Sequence, residues 1–432
     1  MQVAGRVCAV PSDAQTVVSE SYDVVVAGGG SAGAGAAVGA AQAGARVHLI
    51  ERHPFLGGAA TASSVLSYCG FFDQRRKRVV GGVGGDLLRR LEAGGGSSEI
   101  TFKWSGNTVV LIDPEYTKRV LDAMVIEAGV SVGLHSFLTA ARAEQGSVLE
   151  VSAVTAARRR DISARSFVDA SGDGVLAVLA GASVAVPAAH ERQVATLSMR
   201  IGGVTPDAPI SSELMREAVA AFNATHDRQL IRDHGPAARL PLTGEITMQI
   251  ADQTVDALDA HDLTRAEQAA RVQVWDYLDA FRCAMPGWEN AYLTGTGPGI
   301  GIRETRRIIG REQVSAEDVL RARRRPDDGI ARCGWPLEAH HGIGSTRYTP
   351  IDGRAFYDIP LGALRSADVK NLWAAGRLVS SDAEAYCSLR VMGTAFATGQ
   401  AAGVAAALQA GHGGEPDPAD VRRELERQGA MI

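Results

Sequence analysis

A chain of 432 residues with 46% apolar residues and a net charge of −5 can bury a large core and folds as two intimate domains. Its near-balanced charge, with no long basic stripe, excludes nucleic acid as a natural partner. No run approaches the roughly 18 to 20 unbroken apolar residues that cross a bilayer, and residues 1 to 20 lack the basic start and apolar core of a secretory signal, so the expectation is a cytoplasmic protein off the membrane.

Residues 1 to 20 show no apolar period and read as a mobile tail. Tyr22 to Ala27 is a short β-branched run of the kind buried on both faces of a parallel sheet. The small residues from Ser31 to Ala43 suit a helix pressed on that sheet, Gly44 its C-terminal cap, and Ala45 to Ile50 a second buried strand. After a Gly-rich middle, Pro114 to Gly129 reads as a helix and Val130 to Ser136 as a strand, with a sheet excursion over Val148 to Val154 and Asp161 to Asp169. The character then changes. Helical spacing over Ser211 to Phe222 and Leu263 to Phe281, with turn-rich segments between, marks 191–358 as an inserted α+β substrate domain. Asn371 to Ala375 returns to a buried strand and Thr394 to Leu408 to an Ala-rich helix, so the first domain is discontinuous, 21–190 and 359–412. Residues 413–432 hold a charged surface helix. The expected fold is α/β, a Rossmann-type parallel sheet with helices and a β-meander excursion. The five cysteines (Cys8, Cys69, Cys283, Cys333, Cys387) include no Cys-x-x-Cys pair, which indicates neither a disulfide framework nor a metal site and leaves four or five plain buried thiols.

The pattern Gly28-x-Gly30-x-x-Gly33-x-x-Ala36 follows the first strand directly, and Glu51 ends the next strand. Gly28 permits the turn, Gly30 lets backbone approach a pyrophosphate, and Gly33 with Ala36 lets helix and sheet pack closely. Ser31, Ala32 and Gly33 open the helix, whose free N–H groups and positive dipole end attract an anion. Glu51, with Arg52 beside it, would accept hydrogen bonds from an adenosine ribose. Strand, turn, helix, strand and acid in this order indicate a bound dinucleotide rather than the alternative, a Gly-rich packing turn.

Two further segments resemble those of known flavoproteins. Leu56-Gly57-Gly58, with Ala59 after it, resembles the Gly-Gly stretch of the glutathione-reductase-like superfamily, and Ala170-Ser171-Gly172-Asp173 its strand-ending Ala-Thr-Gly motif, with Ser171 in the Thr place. With Gly299 to Gly310 and Asn371 to Ala406, the chain resembles the FAD-dependent oxidoreductase family, relatives of the fumarate reductase and thiazole synthase flavoproteins. That resemblance implies FAD. It places backbone at Gly376 and Arg377 near the ribityl chain, the helix start Met392-Gly393-Thr394 at the pyrimidine edge of the ring, and Leu138 against adenine. Arg390 lies near where a relative's Arg binds a substrate carboxylate; the alternative is an Arg that caps carbonyls.

Candidates for chemistry over the flavin are His340, His341, Arg303, Glu304 and Tyr348. A histidine with an ordinary pKa near 6.5 can take a proton at neutral pH as hydride leaves for flavin N5; a structural or solvated loop histidine is the alternative. Arg303 and Glu304 are expected to form an ion pair, and Arg306-Arg307 a solvated helix face. Nothing beside Cys69 or Cys387 predicts a reactive thiol.

The expected activity is dehydrogenation or desaturation of a small organic substrate, with oxygen or an external acceptor taking the electrons onward. Neither Gly81 to Gly85 nor Gly295 to Gly301 makes a second nucleotide fingerprint, so a built-in nicotinamide site is not expected. A flavin monooxygenase or halogenase is the runner-up, and a structural or regulatory FAD the third reading. His53 stands too close to Glu51 to match the flavin-linking histidine of fumarate reductase relatives, so the FAD is expected to be non-covalent. A homo-oligomer stays open.

Overall fold

The computed structural model describes residues 18–102 and 105–432. The expected tail at 1–20, and Cys8 with it, falls outside the described residues up to position 17. From Val18 onward the chain already belongs to the first strand, Val18–Ala27, because its residues 18 to 20 pair in parallel with Arg160 to Ile162.

That strand sits in the middle of the main sheet. On one side it pairs in parallel with Val47–Ile50 and then Ser131–Gly133; on the other it pairs in parallel with Arg159–Asp169. The long strand Arg159–Asp169 shares its far edge between two neighbours. Residues 159–163 pair with the antiparallel meander Ser147–Val154 and Phe137–Glu144, and residues 167–169 pair in parallel with Leu372–Ala374. Val26 faces Leu49 and Val168 in register, so apolar side chains from three parallel strands meet, as the run of valines and its lack of alternation imply. Four parallel strands therefore end at one rim: Ala27 before Gly28, Ile50 before Glu51, Asp169 before Ala170, and Ala374 before Gly376. Ligands of doubly wound sheets bind at such a rim.

Two small-residue helices lie together on one face of this sheet, Ser31–Gln42 and Met392–His412. Their contact is backbone to backbone. A Cβ on Gly399 would stand 2.1 Å from Ala32 O, and one on Gly35 would stand 2.6 Å from Phe396 O. The Gly-rich middle, to which the sequence alone assigns no element, forms a helix over Gly82–Ala93. Its glycines are docking surface: a Cβ on Gly82 would stand 2.1 Å from Gln400 Oε1, and one on Gly84 would touch Phe396 and Phe71.

The expected insert over 191–358 divides in its packing. Strands Ala195–Gly202, Ala237–Arg239, Ile246–Gln253 and Tyr292–Thr296 form an antiparallel sheet backed by helices Ser212–Thr225 and Ala260–Ala284, with a core cluster of its own. Residues from Val314 to Tyr357 instead join the main core, because strand Gly329–Cys333 packs beneath the Met392–His412 helix and the Thr394 hydroxyl meets Cys333 Sγ at 3.2 Å. The C-terminal helix Pro418–Arg427 is charged outward but buries Val421 and Leu425. Among the described residues, no single helix is long and apolar enough to cross a membrane. Of the cysteines expected to be buried, Cys333 and Cys387 are, Cys69 is partly covered, and Cys283 is exposed at the end of its helix, where nothing packs on it.

Candidate functional site

The Gly28 turn has φ +97°, a left-handed conformation that favours glycine. A Cβ there would also strike Ala170 O at 2.6 Å, so the first and third of these rim turns touch. Gly33 is required for packing, since its Cβ would stand 1.7 Å from Gly28 O. Gly30 differs from both: its Cβ would find only Gly58 Cα, at 3.6 Å, and otherwise open space. The first closing bond of the helix is Ala34 N–H to Gly30 O, so the amides of Ser31, Ala32 and Gly33 precede it, and no side chain caps them. The Ser31 hydroxyl is buried there without a partner. An open cradle, uncapped amides and an orphaned buried hydroxyl fit the pyrophosphate of FAD.

The other cofactor residues surround this cradle. Gly57 and Gly58, at φ +114° and +55°, cross Gly30 through a parallel bridge between Gly30 and Gly57. Ala59 starts the short turn of helix after them. Glu51 is buried and holds both neighbouring turns: Oε2 accepts from Gly29 N–H at 2.5 Å and Oε1 from His53 N–H at 2.8 Å. His53 thus lies beside Glu51, at the end of the second strand. Asp169, fully buried, accepts from Ser171 N–H and Oγ–H and from Ala177 N–H, which shapes Ala170 to Gly174. Asp173 bonds Arg377 at 3.1 Å, Thr305 at 3.2 Å, and pairs with Arg52 at 3.8 Å, linking three segments of the rim. Arg377 lies over Gly172, where a Cβ would stand 2.4 Å from its Nη2. Gly376, at φ +66°, leaves room for Ala32 and Ala395, whose Cβ atoms would stand 2.9 and 3.5 Å from its own.

Two cofactor expectations need correction. The third parallel strand ends at Gly133 and the chain reverses through His135 at φ +53°, so Leu138 lies inside the meander strand, paired with Ala153, and not at a strand end on the rim. At the start of the Met392–His412 helix, Gly393 N–H is already taken by Cys69 O at 2.7 Å and Thr394 is fully buried, so of the expected three residues only Met392 faces the cavity beyond.

That cavity is lined by Ala59, Arg377, Val391 and Met392, from segments expected near the cofactor, and by Thr196, Arg232, Arg303, Glu338, His340 and Arg390. It thus gathers three of the catalytic candidates with three of the cofactor residues. His341 points to solvent. Tyr348 reaches the cluster through Glu338, donating to Oε1 at 2.7 Å. Glu338, not singled out by the sequence, is the hub: Oε1 also accepts from His340 Nε2 at 3.1 Å, and Oε2 from Trp335 Nε1 at 2.7 Å. Burial opposes its charge, but the His340 bond, the nearby Arg390 and Tyr348 prevail and hold its pKa well below the usual carboxylate range. His340 Nε2 carries the proton facing Glu338, and Nδ1 accepts from Thr346 at 3.0 Å. Burial, reinforced by the Arg303 charge, lowers the His340 pKa to about 4 despite Glu338.

The expected Arg303–Glu304 ion pair does not form. Glu304 pairs with buried Arg307 at 2.5 Å, one side of a turn apart, while Arg303 points into the cavity and donates through Nη1 to Val194 O at 2.6 Å and Thr196 Oγ1 at 2.7 Å. Arg307 is therefore no solvated face; it lies over the Tyr386 ring at 5.1 Å. Arg390 does cap a carbonyl, Glu338 O at 3.0 Å, yet its Nε is buried without a partner. Arg232 and Asp252, also missed, pair at 2.7 Å across the floor of the second sheet. Cys69 lines the cavity, and burial pushes its pKa above the thiol range.

A sequence model of the family described as FAD dependent oxidoreductase matches residues 23–428. No curated protein matches the chain. Among solved structures, a geranylgeranyl bacteriochlorophyll reductase-like protein from Thermoplasma acidophilum is similar at 14% identity and TM-score 0.51, over 95% of this chain and 83% of that one. The flavin-dependent brominase Bmp2 is similar at 13% identity and TM-score 0.49, over 94% and 84%. The myxobacterial chondrochloren halogenase CndH is similar at 14% identity and TM-score 0.47, over 95% and 79%. At such identities the likeness is one of fold.

Proposed function

Since the chain belongs to the FAD dependent oxidoreductase family, we propose that it dehydrogenates or desaturates a small organic substrate bound in the cavity between Met392 and Arg303. The observation that carries this reading is the Glu338–His340–Tyr348 cluster, whose Glu338 and His340 line the same cavity as Ala59, Arg377 and Met392. FAD, when bound, would supply the two-electron acceptor for this oxidation, with oxygen or an external carrier as the onward acceptor.

Loss of hydride from carbon leaves a second hydrogen to depart as a proton. His340 is neutral across the physiological range, so Nδ1 can hold that proton while Thr346 turns its hydroxyl to accept. Glu338 fixes the ring through Nε2 and offsets the positive charge, and Tyr348 and Trp335 hold Glu338. These three are positioning residues. The same low proton affinity that makes His340 a weak base lets it release the proton afterwards, with Arg303 opposing the imidazolium.

The test is anaerobic titration of the holoenzyme with pools of small alcohols, amines and carboxylic acids. Bleaching of the flavin by substrate alone is the expected result. No bleaching by any pool, with product formed only when an external reductant and oxygen are both supplied, would replace this reading with the monooxygenase or halogenase one.

A further inference from the structure

The cavity wall carries more positive than negative charge, and its cations are tethered in a particular way. Arg303 is held only through Nη1, by Val194 O and Thr196 Oγ1. Thr196 Oγ1 in turn donates to Asp252 Oδ1 at 2.5 Å. Asp252 receives Arg232 Nη1 on both oxygens, at 3.0 and 2.7 Å, and Gly344 N–H at 3.2 Å. Arg232 Nε is used by His234 O at 2.9 Å. Two guanidiniums are thus clamped by their Nη1 atoms around one Thr–Asp pair, and neither Nη2 donates to any described residue. Both side chains line the cavity, with Arg390 and its orphaned Nε beside them.

The carboxylates do not absorb this charge. Glu338 is saturated by Trp335, His340 and Tyr348, and Asp252 by Arg232, Thr196 and Gly344. Three cations, Arg232, Arg303 and Arg390, face two carboxylates, which leaves one positive charge on the wall; Arg377 at the rim is matched by Asp173. Mutual repulsion adds to burial in lowering the Arg303 pKa to about 10, an electrostatic cost that an arriving anion relieves. A planar carboxylate with two acceptor oxygens suits paired N–H groups presented by rigid guanidinium forks. Val65, Pro236 and Ile302 add apolar surface to the wall, beside the neutral polar side chains of Ser67, Ser198 and Gln249.

We propose that the substrate is a carboxylate, its acid group docked on the free edges of Arg303 and Arg232 on the side of the second sheet, with the carbon to be oxidised lying toward Met392. This rests on the proposed oxidation in the same cavity and names its substrate class.

The experiment uses the FAD-loaded enzyme without turnover. Acetate, butyrate and benzoate, and the corresponding amides, are titrated while the flavin spectrum and the heat of binding are followed. At least one acid should bind saturably and at least about tenfold more tightly than its amide, the size expected for loss of a charge-assisted pair. Arg303→Met should abolish that preference with FAD content and amide affinity unchanged, and Arg303→Lys should retain part of it. Absence of binding by all three acids, equal binding of acid and amide, or an undiminished preference in both Arg303→Met and Arg232→Met would overturn the proposal. The wild-type comparison needs no variant to fold. Acid-selective binding together with no anaerobic bleaching by any of the substrate pools would support the carboxylate site while removing the dehydrogenase reading.

Discussion

Gly403 lies so close to Ala36 that a Cβ on Gly403 would stand 2.0 Å from the Ala36 carbonyl oxygen. With Gly399 on Ala32 one turn earlier, this notch brings two helices together at their N-terminal halves and sets Ser31 and Met392 on the same rim. Helix propensity alone favours Ala over Gly by about 1 kcal/mol, whereas overpacking costs about 1–3 kcal/mol. Gly403→Ala should therefore destabilise the protein. Thermal denaturation of the holoenzyme checks this, and an unchanged or raised Tm would show that the helices have room to part.

Gly30 and Gly33 belong to one motif but do different things, so their substitutions should separate. Gly30→Val points into open space beside Gly58 and should leave a folded protein with the wild-type melting point of the apoenzyme and no FAD. Gly33→Val drives into Gly28 O and should lose both stability and FAD. Flavin content after gel filtration, set against far-ultraviolet melting, distinguishes them.

Acid should destabilise the fold through histidines held neutral. His340 and His48 both have pKa values lowered to about 4, chiefly by burial. In the unfolded chain they bind protons from about pH 6.5 downward. Their contribution is therefore fully present above that pH and is lost as pH falls toward 4, at up to about 1.4 kcal/mol per pH unit for each. Melting temperatures measured across this window should fall in wild type and fall less steeply in His340→Asn. For the same reason the rate of flavin reduction by substrate should show no titration near pH 6.5, and a limb there would assign the proton to another group.

Glu338→Gln keeps the shape of the cluster and removes its charge. His340 then loses its ionic partner and Arg390 its nearest counter-charge, at a cost of about 2–4 kcal/mol for a buried charged hydrogen-bond hub. Flavin reduction should slow while FAD content and the flavin spectrum stay as in wild type. A variant with wild-type reduction kinetics would exclude Glu338 as a positioning residue.

Acid precipitation should leave the yellow colour in solution. The His53 backbone is engaged by Glu51 at the end of the second strand, and Tyr68 is fully buried between Phe71 and Phe396. A coloured pellet with a matching mass increase on a peptide would make the flavin covalent and direct attention to Cys69, which lines the cavity.

The cofactor end of this protein was legible from its amino-acid order because each part obeys a local rule. A valine run, a glycine turn, a small-residue helix and an acid lie within thirty or so consecutive positions, and such units fold much the same wherever they occur. The Ala-rich helix near the C-terminus was legible for a similar reason, although its notch partners on the first helix were not. The reacting end was decided by tertiary structure alone. Thr196, Arg232, Asp252, Arg303 and Glu338 come from separate strands and loops, and no periodicity marks a charge that pairs across such distances. Arg303 shows the point most plainly. Its neighbour Glu304 looked like its partner, but Glu304 is bonded to Arg307, while Val194 O and Thr196 Oγ1, more than a hundred residues earlier in the chain, hold Arg303 at the cavity. Local sequence sets which backbone can meet a pyrophosphate; only the packing of distant elements decides which charges are buried together, and with them the substrate.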